Sequence, residues 1–136
     1  KLPLDQVGQL LYHGSGLLGI SGISSDPRIL QQQEDHQPRA GKALELYVRR
    51  IVREIGSVTA ALGGLDCPLF TAGIGAHKSA LRERICEGLV FMGISIDMAA
   101  NATNSPVIST KESRILVLVE PTNEEWIAAS HANEII

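Results

Sequence analysis

Aliphatic side chains recur at every third or fourth position in two stretches of the chain, residues 4–12 and residues 39–62. This spacing places them on one face of a helix, so the pattern predicts a short helix first and a long amphipathic helix later. Gly63-Gly64 ends the long helix, as glycine commonly does after a last helical turn. The polar face of that helix carries three arginines that we interpret as solvated: Arg49, Arg50 and Arg53.

Two short apolar runs, residues 68–71 and 114–120, are each followed by a helical pattern, which starts near residue 79 and at Glu124 respectively. The second run is almost continuously aliphatic, which is typical of a strand buried on both faces in a parallel sheet covered by helices. The pattern therefore predicts an α/β fold with helices around a few mainly parallel strands. Residues 107–109 form a candidate edge strand, and residues 98–104 a polar loop.

The segment from Ser15 to Arg28 is rich in glycine and serine and cannot form a long regular element. Two interpretations of it remain open. Either its aliphatic residues fill a core as a buried connection, or Asp26 and Arg28 line a polar site beside bare backbone. Pro27 follows Asp26 as proline follows an N-cap residue, which predicts that a helix of about two turns begins there.

The composition excludes several classes of protein. The 136 residues carry a net charge of −3 and are 44% apolar and 20% charged, without a basic block for nucleic acid. No apolar run reaches the length of a membrane span, and no signal-peptide pattern opens the chain. Cys67 and Cys86 form a poor disulfide framework, so we expect buried thiols in a cytoplasmic protein. Because two strands make a poor sheet and the chain opens on Lys1, we expect a piece of a longer protein.

Gly73 and Gly75 lie between the first apolar run and the helix after it, which predicts a strand, a glycine turn and a helix. Backbone without side chains lets a ligand approach, and the start of a helix favours an anion such as phosphate. The dinucleotide fingerprint fails because Lys78 stands where it needs glycine, and the P-loop fails because His77 precedes Lys78. A tight connection without a ligand is the alternative.

Polar residues follow both predicted strands. In an open parallel sheet, ligands bind outside the carboxyl ends of the strands, so we expect residues 73–77 and Asn123-Glu124 to face one crevice. A carboxylate there suits Mg²⁺, which takes oxygen ligands and commonly keeps several waters. In the alternative, Glu124 only stabilises the positive end of its own helix dipole.

Five segments together resemble the C-terminal third of acetate kinases, in the same order and at matching spacing. They are Ser15–Arg28, Leu62–Asp66, Phe70–Gly75, Arg82–Gly88 and Pro121–Glu125. The resemblance covers almost the whole chain. It implies a ribonuclease-H-like fold of the sugar kinase, Hsp70 and actin superfamily. It also implies a homodimeric phosphotransferase that converts ATP and acetate to ADP and acetyl phosphate with Mg²⁺.

The resemblance also implies roles for individual residues. Glu124 serves the Mg²⁺, and the ATP or ADP is held by two groups: Asp26, Pro27 and Arg28 at its adenosine part, and Gly73, Ile74, Gly75, Ala76 and His77 along the loop. The family's catalytic residues lie before Lys1, so we expect none here and no activity from this chain alone. A propionate kinase, or a non-catalytic module that binds a nucleotide or a partner, is the alternative.

Two departures from the family pattern bear on nucleotide binding. The family usually has Glu-Asn after Gly-Ile-Gly, where this chain has Ala76-His77. The missing acid and amide affect nucleotide affinity or selectivity. Pro27 stands where the family tolerates a flexible residue, and it stiffens the turn.

Overall fold

The computed structural model describes residues 2–135, without the side chains of Glu124, Glu134 and Ile135. The described chain divides into two units, Lys1–Glu54 and Ile55–Ile136. Its helices and strands follow in chain order: α1 (Leu4–His13), α2 (Gly16–Ser21), α3 (Pro27–Gln33), α4 (Pro38–Leu62), β1 (Leu69–Phe70), α5 (Ala72–His77), α6 (Ser79–Glu87), α7 (Met98–Ala102), β2 (Leu118–Val119) and α8 (Glu124–Ile135). A 3-10 turn at Val90–Met92 precedes α7.

The helices that begin in the first unit confirm what the local pattern predicts. α1 and α4 begin and end within one residue of the predicted bounds, because side-chain spacing and terminal glycines are local signals. The segment from Ser15 to Arg28 contains no long element, but it does hold the six-residue helix α2. Gly22 ends that helix in the left-handed conformation, with φ of 66°, which glycine adopts without steric cost.

The second unit contains a parallel strand pair, as the sequence predicts. Leu69 of β1 lies opposite Leu118 of β2, and Phe70 lies opposite Val119. The candidate edge strand at residues 107–109 forms only isolated antiparallel bridges, one to residue 96 and one to residue 118. The sheet brings the carboxyl ends of β1 and β2 to one edge, where α5 and α8 begin.

The prediction that the second apolar run is buried on both faces is wrong. Ile115, Val117 and Val119 are buried, whereas Leu116 is 46% exposed and Leu118 is half-buried. Successive side chains of an extended segment point to opposite faces. One face of this run therefore packs into the core, and the described chain leaves the other face largely uncovered.

The prediction of a polar loop at residues 98–104 is also wrong, because residues 98–102 form α7. Asp97 is its N-cap, and the Asp97 carboxylate accepts hydrogen bonds from the Ala99 and Ala100 amides at 2.8 and 3.0 Å. An aspartate before an alanine-rich stretch is the standard start of a helix. Asn104 ends the turn with φ of 54°, a left-handed conformation that asparagine tolerates better than most residues.

Candidate functional site

A cleft of about 320 Å³ opens where β1 and β2 end. It is lined by residues from α5, from the segment before α8 and from the first turn of α8: Ala72, Gly73, Ala76, His77, Thr122, Asn123 and Glu125. The expectation of one crevice is thereby confirmed for Gly73, Ala76, His77 and Asn123, whereas Ile74 and Gly75 are not among the lining residues and the side chain of Glu124 lies outside the described residues. Ala72, Thr122 and Glu125 were not among the predicted site residues, although each lies next to one that was.

The glycine segment is a helix, so the prediction of a glycine turn is wrong. Residues Ala72–His77 form α5, and Thr71 is its N-cap. The Thr71 Oγ1 is buried and has no hydrogen-bond partner in the described part of the chain. Ala72, the first residue of α5, has a left-handed φ of 60°. Such a conformation costs a residue with a Cβ about 1–2 kcal/mol, so the surrounding structure must enforce it. Strained backbone of this kind clusters at functional sites.

The two glycines of α5 have different reasons to lack a side chain. A Cβ on Gly75 would lie 3.3 Å from the Phe70 carbonyl carbon, so this glycine allows α5 to pack closely against β1. A Cβ on Gly73 would meet nothing within 4 Å. Gly73 also lines the cleft, and its bare backbone is therefore available to a ligand.

Ala76 and His77, which depart from the pattern of the family that the sequence resembles, differ in position. Ala76 is 2% exposed and forms part of the core, whereas the side chain of His77 is exposed at the wall of the cleft. Ile74 is half-buried. Of this pair, His77 therefore presents the larger side-chain surface to a bound molecule.

The other wall of the cleft is the start of α8. Asn123 caps this helix, because its Oδ1 accepts a hydrogen bond from the Trp126 amide at 2.9 Å. Glu124 is the first residue of α8, and its side chain lies outside the described residues. Glu125 is exposed and lines the cleft. Among the described side chains, no group of three or more His, Cys, Asp or Glu is arranged to hold a metal ion.

Asp26, Pro27 and Arg28 lie in the first unit, where they build the start of α3. The Asp26 carboxylate accepts a hydrogen bond from the Arg28 amide at 2.8 Å, and Pro27 is buried at the first helical position. The Arg28 guanidinium returns to the same carboxylate, with Nη2 2.6 Å from Oδ2. This hydrogen bond and the nearby negative charge raise the pKa of Arg28. A shared nucleotide site of this segment with α5 stays a prediction.

The Asp26 carboxylate caps α3 through the Arg28 amide and also pairs with the Arg28 guanidinium. Two substitutions separate these roles. Asp26→Ala in the full-length protein is expected to lower the free energy of unfolding by about 1 kcal/mol, because the cap of α3 is lost. Asp26→Asn is expected to lose only a few tenths of that amount, since an amide oxygen still accepts from the Arg28 amide. Urea denaturation measures both. If both variants lost the same free energy of unfolding, the exposed ion pair with Arg28, and not the helix cap, would be the stabilising interaction.

The two cysteines differ in burial. Cys67 and Cys86 are free thiols, but only Cys86 is buried, and burial raises the pKa of its thiol to about 11. The expectation that both thiols are buried is wrong for Cys67, which is half-buried.

Over residues 2–135, no helix is both long enough and apolar enough to cross a membrane.

Sequence comparison gives consistent matches to one family. The profile of the acetokinase family matches residues 1–130. An acetate kinase of Rickettsia typhi is 47% identical over 136 residues, which are 100% of this chain and 35% of that protein. The chain thus spans about a third of the length of the curated relatives it matches.

Solved structures agree with the sequence matches. The crystal structure of Porphyromonas gingivalis acetate kinase aligns with 98% of this chain and 35% of its own, at a TM-score of 0.83 and 36% identity. A propionate kinase from Francisella tularensis aligns with 94% of this chain and 33% of its own, at a TM-score of 0.85 and 30% identity.

Proposed function

Because the chain belongs to the acetokinase family, we propose that residues 1–136 are the nucleotide-binding portion of a longer phosphotransferase that transfers phosphate between ATP and acetate. The observation that carries this proposal is the cleft at the strand ends. It places backbone without a side chain, at Gly73, opposite the capped start of α8. An open sheet edge with these features suits a phosphorylated ligand.

Each group of predicted site residues has a distinct part in this proposal. Residues 73–77 lie along the nucleotide, and Asp26, Pro27 and Arg28 contact its adenosine part. Glu124 holds Mg²⁺. The side-chain oxygens of Thr122, Asn123 and Glu125 line the same cleft, where they can bind the ion or accept hydrogen bonds from its waters. When bound, Mg²⁺ neutralises the charge on the transferring phosphate. Phosphoryl transfer chiefly requires such neutralisation together with positioning.

Two alternatives have specific support. The Francisella tularensis propionate kinase matches the chain as closely in fold as the acetate kinase does, so propionate is a second candidate substrate. His77, at the cleft wall where the family usually has asparagine, favours a module that binds a nucleotide or partner without catalysis. We further propose a cytoplasmic homodimer without nucleic-acid or membrane partners.

The test is a phosphate-transfer assay on the full-length protein with ATP, Mg²⁺ and either acetate or propionate. We expect acyl phosphate to form, to require Mg²⁺ and to form faster with acetate. Faster transfer to propionate would replace the substrate. No transfer to either acid, with Mg-ATP binding retained in calorimetry, would establish the non-catalytic module instead. Sedimentation of the same sample measures the oligomeric state.

A further inference from the structure

Arg82 is a buried cation in α6 without a carboxylate partner among the described residues. It is 1% exposed, and its guanidinium donates four hydrogen bonds to oxygens that are all neutral. Burial lowers its pKa, but arginine stays protonated in proteins. A charge removed from water must be compensated by other groups, and here neutral dipoles take that part.

The oxygens around Arg82 connect three helices. Nη1 lies 2.8 Å from the Gly75 carbonyl oxygen of α5, and Nη2 lies 2.7 Å from the Asn101 carbonyl oxygen of α7. Both carbonyls belong to the last turn of a short helix, where backbone oxygens lack amide partners within the helix. The cation thus lies at the negative ends of two helix dipoles, which is where a positive charge is stabilised.

Two asparagines complete the network around the guanidinium. Nε lies 2.8 Å from Asn101 Oδ1, and Nη2 lies 2.6 Å from Asn104 Oδ1. Asn101 is itself 1% exposed, and its Nδ2 donates to the Ser79 carbonyl oxygen at 3.0 Å. Asn104 has the left-handed backbone described above, so local strain accompanies its contact with Arg82. The buried guanidinium and the strained Asn104 therefore belong to one hydrogen-bond network, and this network holds its neutral acceptor oxygens in a defined geometry.

The Gly75 carbonyl connects this network to the cleft. α5 has only six residues, and its outer surface supplies Ala72, Gly73 and His77 to the cleft wall. So short a helix is not stable by itself and takes its orientation from its contacts. We propose that Arg82 is a positioning residue for the nucleotide cleft, because its bond to the Gly75 carbonyl fixes α5 with Gly73 and His77 towards the ligand. This inference rests on the proposed function.

The experiment compares Arg82→Lys and Arg82→Met with Leu89→Ala in the full-length protein. Leu89 is fully buried beyond the end of α6, so its truncation supplies a loss of stability without removing a bond to α5. Amide hydrogen exchange of residues 72–78, without nucleotide, reports the order of α5. We expect a rise of about tenfold for Arg82→Met, less for Arg82→Lys and under about threefold for Leu89→Ala.

Steady-state kinetics supply the second measurement. Arg82→Lys is expected to raise KM for ATP about tenfold and to change KM for acetate less than about twofold, which a general loss of stability does not do. Equal exchange in the Arg82 and Leu89 variants, or an unchanged KM for ATP, would overturn the proposal. A wild-type protein that transfers no phosphate would defeat the proposed function alone, because hydrogen exchange still tests the bond to α5.

A second variant covers the case in which Arg82 variants do not fold. Asn104→Gly keeps the left-handed backbone and removes one of the four acceptors of Arg82. We expect it to raise the exchange of residues 72–78 about threefold and KM for ATP in the same direction. Wild-type exchange in this variant would contradict the role of the network.

Discussion

Glu124→Ala in the full-length protein is expected to lower Mg²⁺-dependent turnover by about 100-fold or more, with the fold intact. The expected loss is large because, in the proposed function, Glu124 holds the ion that would neutralise charge in the transition state. Removing an interaction made in the transition state lowers kcat. Turnover at saturating ATP over a range of Mg²⁺ concentrations measures the effect, and circular dichroism monitors the fold.

Two further variants make this result specific. Glu87→Ala removes an exposed acid from the end of α6, and we expect it to keep wild-type turnover. Glu125→Ala tests the neighbouring acid, whose side chain lines the cleft. If Glu125→Ala shows the large loss and Glu124→Ala does not, the Mg²⁺ acid is Glu125. Wild-type turnover in both would remove the start of α8 from the metal site.

Gly73→Leu is expected to raise KM for ATP at least about tenfold while the free energy of unfolding stays within about 1 kcal/mol of wild type. A Cβ at this position would meet nothing within 4 Å, and leucine suits a helix better than glycine does. The new side chain instead occupies the cleft that α5 lines. Kinetics with varied ATP and urea denaturation measure the two effects separately.

Gly75→Ala is the comparison variant for the stability measurement, because it should lower the free energy of unfolding where Gly73→Leu does not. Its Cβ would lie 3.3 Å from the Phe70 carbonyl carbon, so α5 must shift from β1 and the free energy of unfolding should fall. Unchanged KM for ATP in Gly73→Leu would show that the nucleotide does not lie along α5, and the sequence-based role of residues 73–77 would then be wrong.

The local elements were predictable because their signals lie within a few residues. Spacing of aliphatic side chains predicted α1 and α4, and Asp26 before Pro27 predicted α3. The topology rule for parallel strands by itself predicts that the glycine segment and Asn123 lie at one crevice, as the cleft shows. The signal for α7 is equally local, because Asp97 precedes an alanine-rich stretch as an N-cap residue, but a polar stretch of this length is also typical of a loop.

The sequence by itself determined the α/β class, the helices with strong periodicity, the family resemblance and the part of the chain that lines the cleft. Only the tertiary structure decided that the glycine segment is a helix, that one face of the second apolar run is exposed, and that Arg82 is buried. Periodicity and caps act between residues at most four apart, whereas Arg82 contacts residues 7, 19 and 22 positions away. A charged residue is exposed by default, and only those distant neutral oxygens make its burial stable.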